Sequence, residues 1–217
     1  MSQNFQKPPK DRKPRAAPEI SQVPQKNESV RKHELRVAAA KLFLKVGYDR
    51  ATVRDIAKKV GLQSGSIFYH FKTKEDILVD VMSEGLRQFA EAVNQPLRDA
   101  SSPLEKLRGL FLGHLKALLN PDNSEIAVVL SEWRQLSPQS RRLVVKLRDE
   151  VDDVWNEVLR EAAAQGLVQG DLRILRLSML GAINWSLQWY DRRGKLTIEE
   201  LASRLLETFV PPDRIPK

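Results

Sequence analysis

The chain has 217 residues, of which 41% are hydrophobic and 6% aromatic, enough for one sizeable helical domain and a small appended one. It contains no cysteine, which excludes disulfides and thiolate metal sites. No apolar run approaches the roughly 20 residues that span a bilayer, and the charged N-terminus lacks the apolar segment of a secretory signal. We therefore expect a cytoplasmic protein without a membrane span.

Positive charge is concentrated in the first third of the chain. Residues 1–75 carry 17 Lys/Arg and 7 Asp/Glu, a net charge of +10, whereas residues 76–217 carry 19 and 21, a net charge of −2. This asymmetry predicts that the first third binds a polyanion such as nucleic acid. Charge alone explains a solvated basic face, or a non-specific basic nucleic-acid-binding protein, equally well.

The predicted elements begin after a polar N-terminal segment. Residues 1–29 contain five prolines among basic and polar residues, and we expect them to form a disordered basic tail. From residue 30 onward, apolar residues recur with the period of an α-helix. Thr52 is a predicted helix cap, and Gly47 and Gly61 are predicted helix stops. In order, the predicted helices of this part cover about 35–46, 53–60, 63–69 and 74–95.

The rest of the chain carries further helix signals. Ser102 with Glu105, and Thr197 with Glu200, have the spacing of capping boxes, and Ser137-Pro138 opens another helix. We find no strand alternation and no hairpin signal. The sequence therefore predicts an all-α protein of about nine helices. Its predicted domains are a helix-turn-helix DNA-binding domain over 30–90 and an effector-binding and dimerisation domain over 91–217.

Two short helices joined by a glycine turn in a basic segment have the arrangement of a helix-turn-helix. In that motif the second helix lays its exposed side chains against base edges in the major groove of DNA. The exposed positions of the predicted 63–69 helix and its end are small or polar, which permits a close approach. The predicted DNA-facing residues are Gln63, Ser64, Gly65, Ser66, Tyr69 and His70.

The run from Thr52 to Glu75, preceded by Ala39–Phe43, resembles the DNA-binding segment of the TetR family of regulators. The resemblance implies a three-helix DNA-binding domain on a larger helical domain that dimerises and binds an effector. It also implies that Thr52 and Arg54 contact the DNA backbone or groove wall and that Lys74 reaches a phosphate.

Two positions depart from the family pattern. Phe68 stands where the family usually has tyrosine, which removes a hydroxyl-to-phosphate bond, and Gln63 stands where serine is often the helix cap. The assignment still predicts a ligand-responsive regulator that binds a palindromic operator as a homodimer and is released by a small effector. Repression is the common case in the family, and activation is the alternative.

An enzyme is not expected. The chain has no cysteine, three histidines far apart in sequence and no glycine-rich phosphate-binding motif, so the usual catalytic and phosphate-binding arrangements are missing. No cofactor is expected other than the small-molecule effector.

The segment 171–193 is apolar on more than one face, which predicts that a partner subunit covers one side, together with the 197–210 helix. Its end resembles the TetR branch that senses acyl-CoA thioesters. We expect a mostly apolar pocket between the 102–119, 138–165 and 171–193 helices, able to take the acyl chain of a long-chain acyl-CoA. The residues expected to meet the polar head are Arg134, Trp185, Trp189 and Arg192. Alternatively, the tryptophans are interface core and the arginines cap the helix.

Overall fold

The computed structural model describes the backbone of residues 25–214 and the side chains of residues 30–214 except Pro212. This part has nine α-helices, three 3-10 turns and no strand, which confirms the all-α prediction. Helix α1 begins inside the predicted tail, whose residues 1–24 lie outside the described residues. The helices are α1 (Gln25–Val46), α2 (Val53–Lys59), α3 (Ser64–His70), α4 (Lys74–Asn94), α5 (Pro103–Leu119), α6 (Ser124–Ser131), α7 (Pro138–Ala164), α8 (Leu172–Trp189) and α9 (Ile198–Phe209).

The helices enclose two hydrophobic cores that share α4. The first core lies between α1, α2, α3 and the first half of α4, with Val128 of α6 and Val144 of α7 packed into it, and its centre includes Phe43, Ile56 and Ile67. The second lies between the end of α4 and α5, α7, α8 and α9, around Phe111 and Trp155. Because α4 contributes to both cores, one continuous helix joins the first three helices to the body without a linker.

Most helix starts follow the predicted chemistry. The hydroxyls of Ser102, Ser137 and Thr197 each accept a hydrogen bond from the backbone N–H three residues on. Thr197 forms a complete capping box, whereas the Glu105 carboxylate accepts from Ser101 rather than closing back on Ser102. No helix in the described part is long and apolar enough to cross a membrane.

Candidate DNA interface and effector cavity

The turn between α2 and α3 is fixed by backbone hydrogen bonds. Gly61 has a φ of +68°, in the left-handed region where a side chain is strained. The Leu62 N–H donates to the Ala57 carbonyl at 2.9 Å, and the Gly61 N–H donates to the Lys58 carbonyl at 3.4 Å. These two bonds form a Schellman motif, which ends α2 and sets the direction of α3.

Helix α3 is anchored on one side and open on the other. Ile67 is fully buried in the first core, and Phe71 follows it at the end of the helix. On the other side Phe68 is 54% exposed and Tyr69 is 79% exposed. We call this open side the recognition surface; it consists of Gln63, Gly65, Ser66, Phe68 and Tyr69, all exposed.

The other predicted DNA-facing residues are placed differently. Ser64 and His70 are half-buried, and the His70 ring packs edge-on against Tyr69 with 5.3 Å between centroids. The Thr52 hydroxyl donates to the Asp55 carboxylate at 2.6 Å and accepts from its N–H at 3.1 Å. Thr52 is therefore committed to capping α2. Arg54 is exposed and forms no ion pair with the side chains that the structure describes.

Lys74 lies inside the chain's own hydrogen-bond network. Its ammonium donates to the carbonyls of Tyr48 at 3.0 Å, Asp49 at 3.4 Å and Ala51 at 3.1 Å. It also lies 4.1 Å from the centroid of the Tyr48 ring. An ammonium has three N–H donors, and these carbonyls occupy them. The structure thus gives Lys74 the role of holding the α1–α2 connection against α4, instead of the phosphate contact expected from the sequence.

Substituting Lys74 by methionine is expected to lower the free energy of unfolding by about 1–3 kcal/mol, because three carbonyls lose a charged donor. The salt dependence of DNA binding should keep its slope, since no phosphate contact is removed. Urea unfolding and salt titrations of DNA binding measure the two quantities. The control is Lys72→Met: Lys72 is exposed beside α3, so its loss should reduce the slope by about one and leave unfolding unchanged. If the Lys74 variant is as stable as the unchanged protein and the slope of its salt dependence falls, Lys74 contacts a phosphate as the sequence predicted.

A cavity of about 140 Å³ lies in the body of the molecule. It is bordered by α5, α7 and α8, where the sequence predicted a pocket, and also by α4 and by α6, which the sequence did not indicate. Its wall is mainly apolar, and the apolar side chains include Leu86, Phe89, Leu118, Ile126, Val151 and Leu180. The polar side chains that line it are His114, Arg148, Asp152 and Asn184.

A cationic and aromatic cluster lies next to the cavity, and Arg148 is its only member that lines the cavity. The Arg148 guanidinium lies 5.3 Å from the centroid of the Trp133 ring. The Arg141 guanidinium lies 5.7 Å from the same ring. We call Trp133, Arg141 and Arg148 the rim cluster. Asp152 is paired with Arg176 at 2.7 Å, so its charge is compensated within the wall.

The four residues predicted to meet an effector's polar head do not line this cavity. Arg134 and Arg192 are exposed, and Trp185 and Trp189 are 68% and 51% exposed. The reason is the helical period of α8: the cavity-lining residues Leu180 and Asn184 are four residues apart, and Trp185 lies about 100° further round the helix. Their contact with an effector stays a prediction that the cavity of the single chain does not support.

Helix α8 carries an apolar stripe on the surface of the single chain. Ile174, Leu177, Trp185 and Trp189 are each more than half exposed, and they follow one another at intervals of three, eight and four residues. Gly181, which is also exposed, lies in the gap between Leu177 and Trp185. We call these five residues the α8 outer face. Such a row of large apolar side chains is typical of a surface that another protein covers.

Two family models match the chain and together cover most of the described part. Residues 35–81 match the model for bacterial regulatory proteins of the tetR family. Residues 100–211 match the model for the tetracyclin repressor-like C-terminal domain. The first match contains the whole helix-turn-helix, and the second contains α5 to α9.

Individual proteins are similar to the chain over more than four fifths of its length. The HTH-type transcriptional repressor KstR2 of Mycolicibacterium smegmatis is 33% identical over 81% of this chain and 87% of its own. The crystal structure of superantigen PfiT is 38% identical, with a TM-score of 0.74, over 84% of this chain and 97% of that one. AibR in complex with isovaleryl coenzyme A and operator DNA is 25% identical, with a TM-score of 0.78, over 84% and 99%.

Proposed function

The chain belongs to the TetR family of bacterial regulatory proteins, and from that premise we propose that it is a ligand-responsive transcriptional repressor acting as a homodimer. The observation that carries DNA binding is the recognition surface on α3, held open by the Gly61 turn in a segment of net positive charge. Two such surfaces in a dimer match the two half-sites of a palindromic operator.

The proposed dimer interface is the α8 outer face. A single short recognition helix binds DNA weakly, whereas a dimer raises the effective concentration of the second helix at its half-site. The outward side of α9 carries Glu199, Arg204 and Glu207, which are exposed, so we expect α9 to contribute polar contacts around an apolar centre on α8.

The proposed effector is an acyl-CoA thioester with a short acyl group. A cavity of 140 Å³ is close in size to engineered apolar cavities of about 150 Å³ that bind benzene, so about six carbons fit. This is shorter than the long chain expected from the sequence. The rim cluster offers two guanidinium groups for phosphates and an indole for stacking, which suits the head of coenzyme A. AibR supports this class, because its structure contains isovaleryl coenzyme A.

Replacing Tyr69 with alanine is expected to weaken specific operator binding by about 1–3 kcal/mol without unfolding the protein, because the ring is 79% exposed and lies outside the hydrophobic core. Gel-shift titrations with the operator and with a scrambled duplex measure the specific part. Tyr69→Phe as the control separates the hydroxyl from the ring. Equal affinity for operator and scrambled DNA in the unchanged protein would favour the alternative of a non-specific basic binder.

Short acyl-CoA thioesters at a hundred times their Kd are expected to stabilise the protein by about 2.7 kcal/mol. For a chain of this length that is a rise in Tm of roughly 5–10 °C. They should also release the operator. Thermal unfolding and DNA release are measured with acetyl-, isovaleryl- and hexanoyl-CoA, with free coenzyme A and the free acids as controls. Arg148→Gln should weaken all thioesters alike. If no thioester shifts either quantity, this effector class is wrong and the DNA-binding function stands.

A further inference from the structure

Asn184 of α8 is a polar side chain of the cavity wall whose amide is held at one end by a buried ring. It is half-buried and lines the cavity. Its side-chain oxygen lies 3.0 Å from Nε2 of His114 on α5, a residue that is only 4% exposed. Phe89 and Trp155 pack edge-on against that imidazole, with ring centroids 4.4 and 5.9 Å away. The orientation of the amide is therefore set by a ring that is itself fixed by its neighbours.

The protonation of His114 determines which end of the amide faces it. Burial lowers the pKa of His114 to about 4, so the ring is neutral at physiological pH and carries one N–H. With the Asn184 oxygen beside Nε2, the proton is on Nε2, and the buried Nδ1 is left as an acceptor. A reversed amide would require the proton on Nδ1, which has no partner in the described part of the chain. Buried N–H groups are orphaned more rarely than buried acceptors, so the Asn184 oxygen is the end that faces His114.

The other end of the amide, Nδ2 of Asn184, is a donor without a partner among the described residues. The unpaired side-chain atoms that are fully buried there belong to other residues, so Nδ2 keeps accessible surface. Because the side chain lines the cavity, that surface is available to a ligand. Of the other polar side chains in the wall, Asp152 is an acceptor already paired with Arg176, and Arg148 is a cation. Asn184 thus supplies a neutral, oriented donor to an otherwise mainly apolar space.

We propose that the Nδ2–H of Asn184 donates to the carbonyl oxygen of the bound thioester. A carbonyl oxygen only accepts, and it is the one polar atom of a saturated acyl group, so it is complementary to this donor. The acyl carbons are then left for the apolar part of the wall and the phosphates for Arg148. The inference rests on the proposed acyl-CoA effector and names the residue that recognises its thioester group.

The test compares thioesters with matched thioethers, butyryl-CoA against S-butyl-CoA and hexanoyl-CoA against S-hexyl-CoA, by calorimetric titration of the full chain. Each thioether keeps the chain length, the sulfur and the coenzyme, and lacks the carbonyl. We expect the thioester to bind about five- to tenfold more tightly, the effect of one net hydrogen bond of typical strength. In Asn184→Asp the carboxylate still accepts from His114 but no longer donates, so this ratio should fall to about one or below. Asn184→Leu should also remove the preference, and it serves if Asn184→Asp does not fold.

His114 is a positioning residue in this arrangement, because it acts through Asn184. His114→Phe keeps an aromatic ring and removes the N–H that holds the amide, so the ratio of thioester to thioether affinity should fall. His114→Gln, which keeps a donor, should retain more of that ratio. A purely structural role of His114 would change the affinity for both ligands by the same factor.

The control is Arg148→Gln, which should weaken the thioester and the thioether alike, since both carry the same coenzyme, and leave their ratio unchanged. Equal affinity for the two ligands in the unchanged protein, or a preference that survives in both Asn184 variants, overturns the inference and indicates that water satisfies Nδ2. In that case the acyl-CoA effector remains. Binding of neither ligand overturns the effector class as well.

Discussion

Replacing Trp185 with glutamate is expected to convert the protein to a monomer and to weaken operator binding by a factor of about a hundred or more. Trp185 is 68% exposed in the single chain and lies in the middle of the α8 outer face, between Leu177 and Trp189. A carboxylate there would have to be desolvated in both subunits of a symmetric interface. Loss of the dimer removes the gain of 10²–10⁴ that linked binding typically provides.

Sedimentation at micromolar concentration and operator titration measure the two effects of Trp185→Glu. The matched control is Leu143→Glu, since Leu143 is a 61% exposed apolar residue on α7, away from the α8 outer face. That variant should remain dimeric and bind the operator. A Trp185→Glu protein that stays dimeric would show that another surface forms the interface.

The elements of the DNA-binding part could be predicted because their signals are local. Thr52 caps α2 through a hydroxyl three residues from its partner, and Gly61 adopts the positive φ expected of a turn glycine. The resemblance to a known family then supplied roles for exposed residues of α3. Lys74 shows the limit of that transfer. Its partners are carbonyls more than 20 residues away, so its structural role depends on how α1 folds back onto α4.

The cavity could be predicted only as a region. Which α8 residues face it depends on the rotation of the helix against α5 and α7, and the apolar pattern of α8 is nearly uniform around its circumference. His114 and Asn184, which are hydrogen-bonded, are 70 residues apart in sequence. Tryptophan and arginine near the end of α8 suggested a ligand site, whereas the buried His114 and Trp155 and the half-buried Asn184 carried no local signal.

A half-buried charge cluster lies between α1, α4 and α6. Arg36 of α1 is 3.3 Å from Asp80 and 3.8 Å from Glu84, both on α4, and 3.9 Å from Glu125 on α6. The Glu125 side chain is only 2% exposed. Asp80 also pairs with Lys32 at 2.7 Å, and Glu84 is paired with the exposed side chain of Arg87. Of these three carboxylates, Glu125 is thus the one that depends on Arg36 alone for its counter-charge.

Substituting Arg36 by methionine is expected to lower the free energy of unfolding by about 3 kcal/mol, because it leaves the buried Glu125 carboxylate without a counter-charge. Adding Glu125→Gln should recover much of that loss, since the double variant buries no unpaired charge. Urea unfolding of the two single variants and the double variant gives the coupling energy directly. Lys32→Met is the control: Asp80 keeps Arg36, and Lys32 is itself 44% exposed, so little stability should be lost. If the double variant recovers less than about a quarter of the lost free energy of unfolding, the loss comes mainly from packing of the Arg36 methylene groups.

The double variant also tests how the cavity is coupled to the DNA-binding helices. Helix α6 lines the cavity through Ile126 and faces α1 across the Arg36–Glu125 ion pair, whose atoms are 3.9 Å apart. It also lies so close to α4 that a Cβ on Gly85 would come within 2.7 Å of the Glu125 backbone. If an effector displaces α6, we expect the displacement to reach α1 through that pair. Without the Arg36–Glu125 pair, we expect the operator to be bound normally. The effector's influence on operator affinity, typically 5–150-fold, should fall several-fold. Unchanged release by the effector in a stable Arg36→Met/Glu125→Gln protein would show that α4 alone transmits the change.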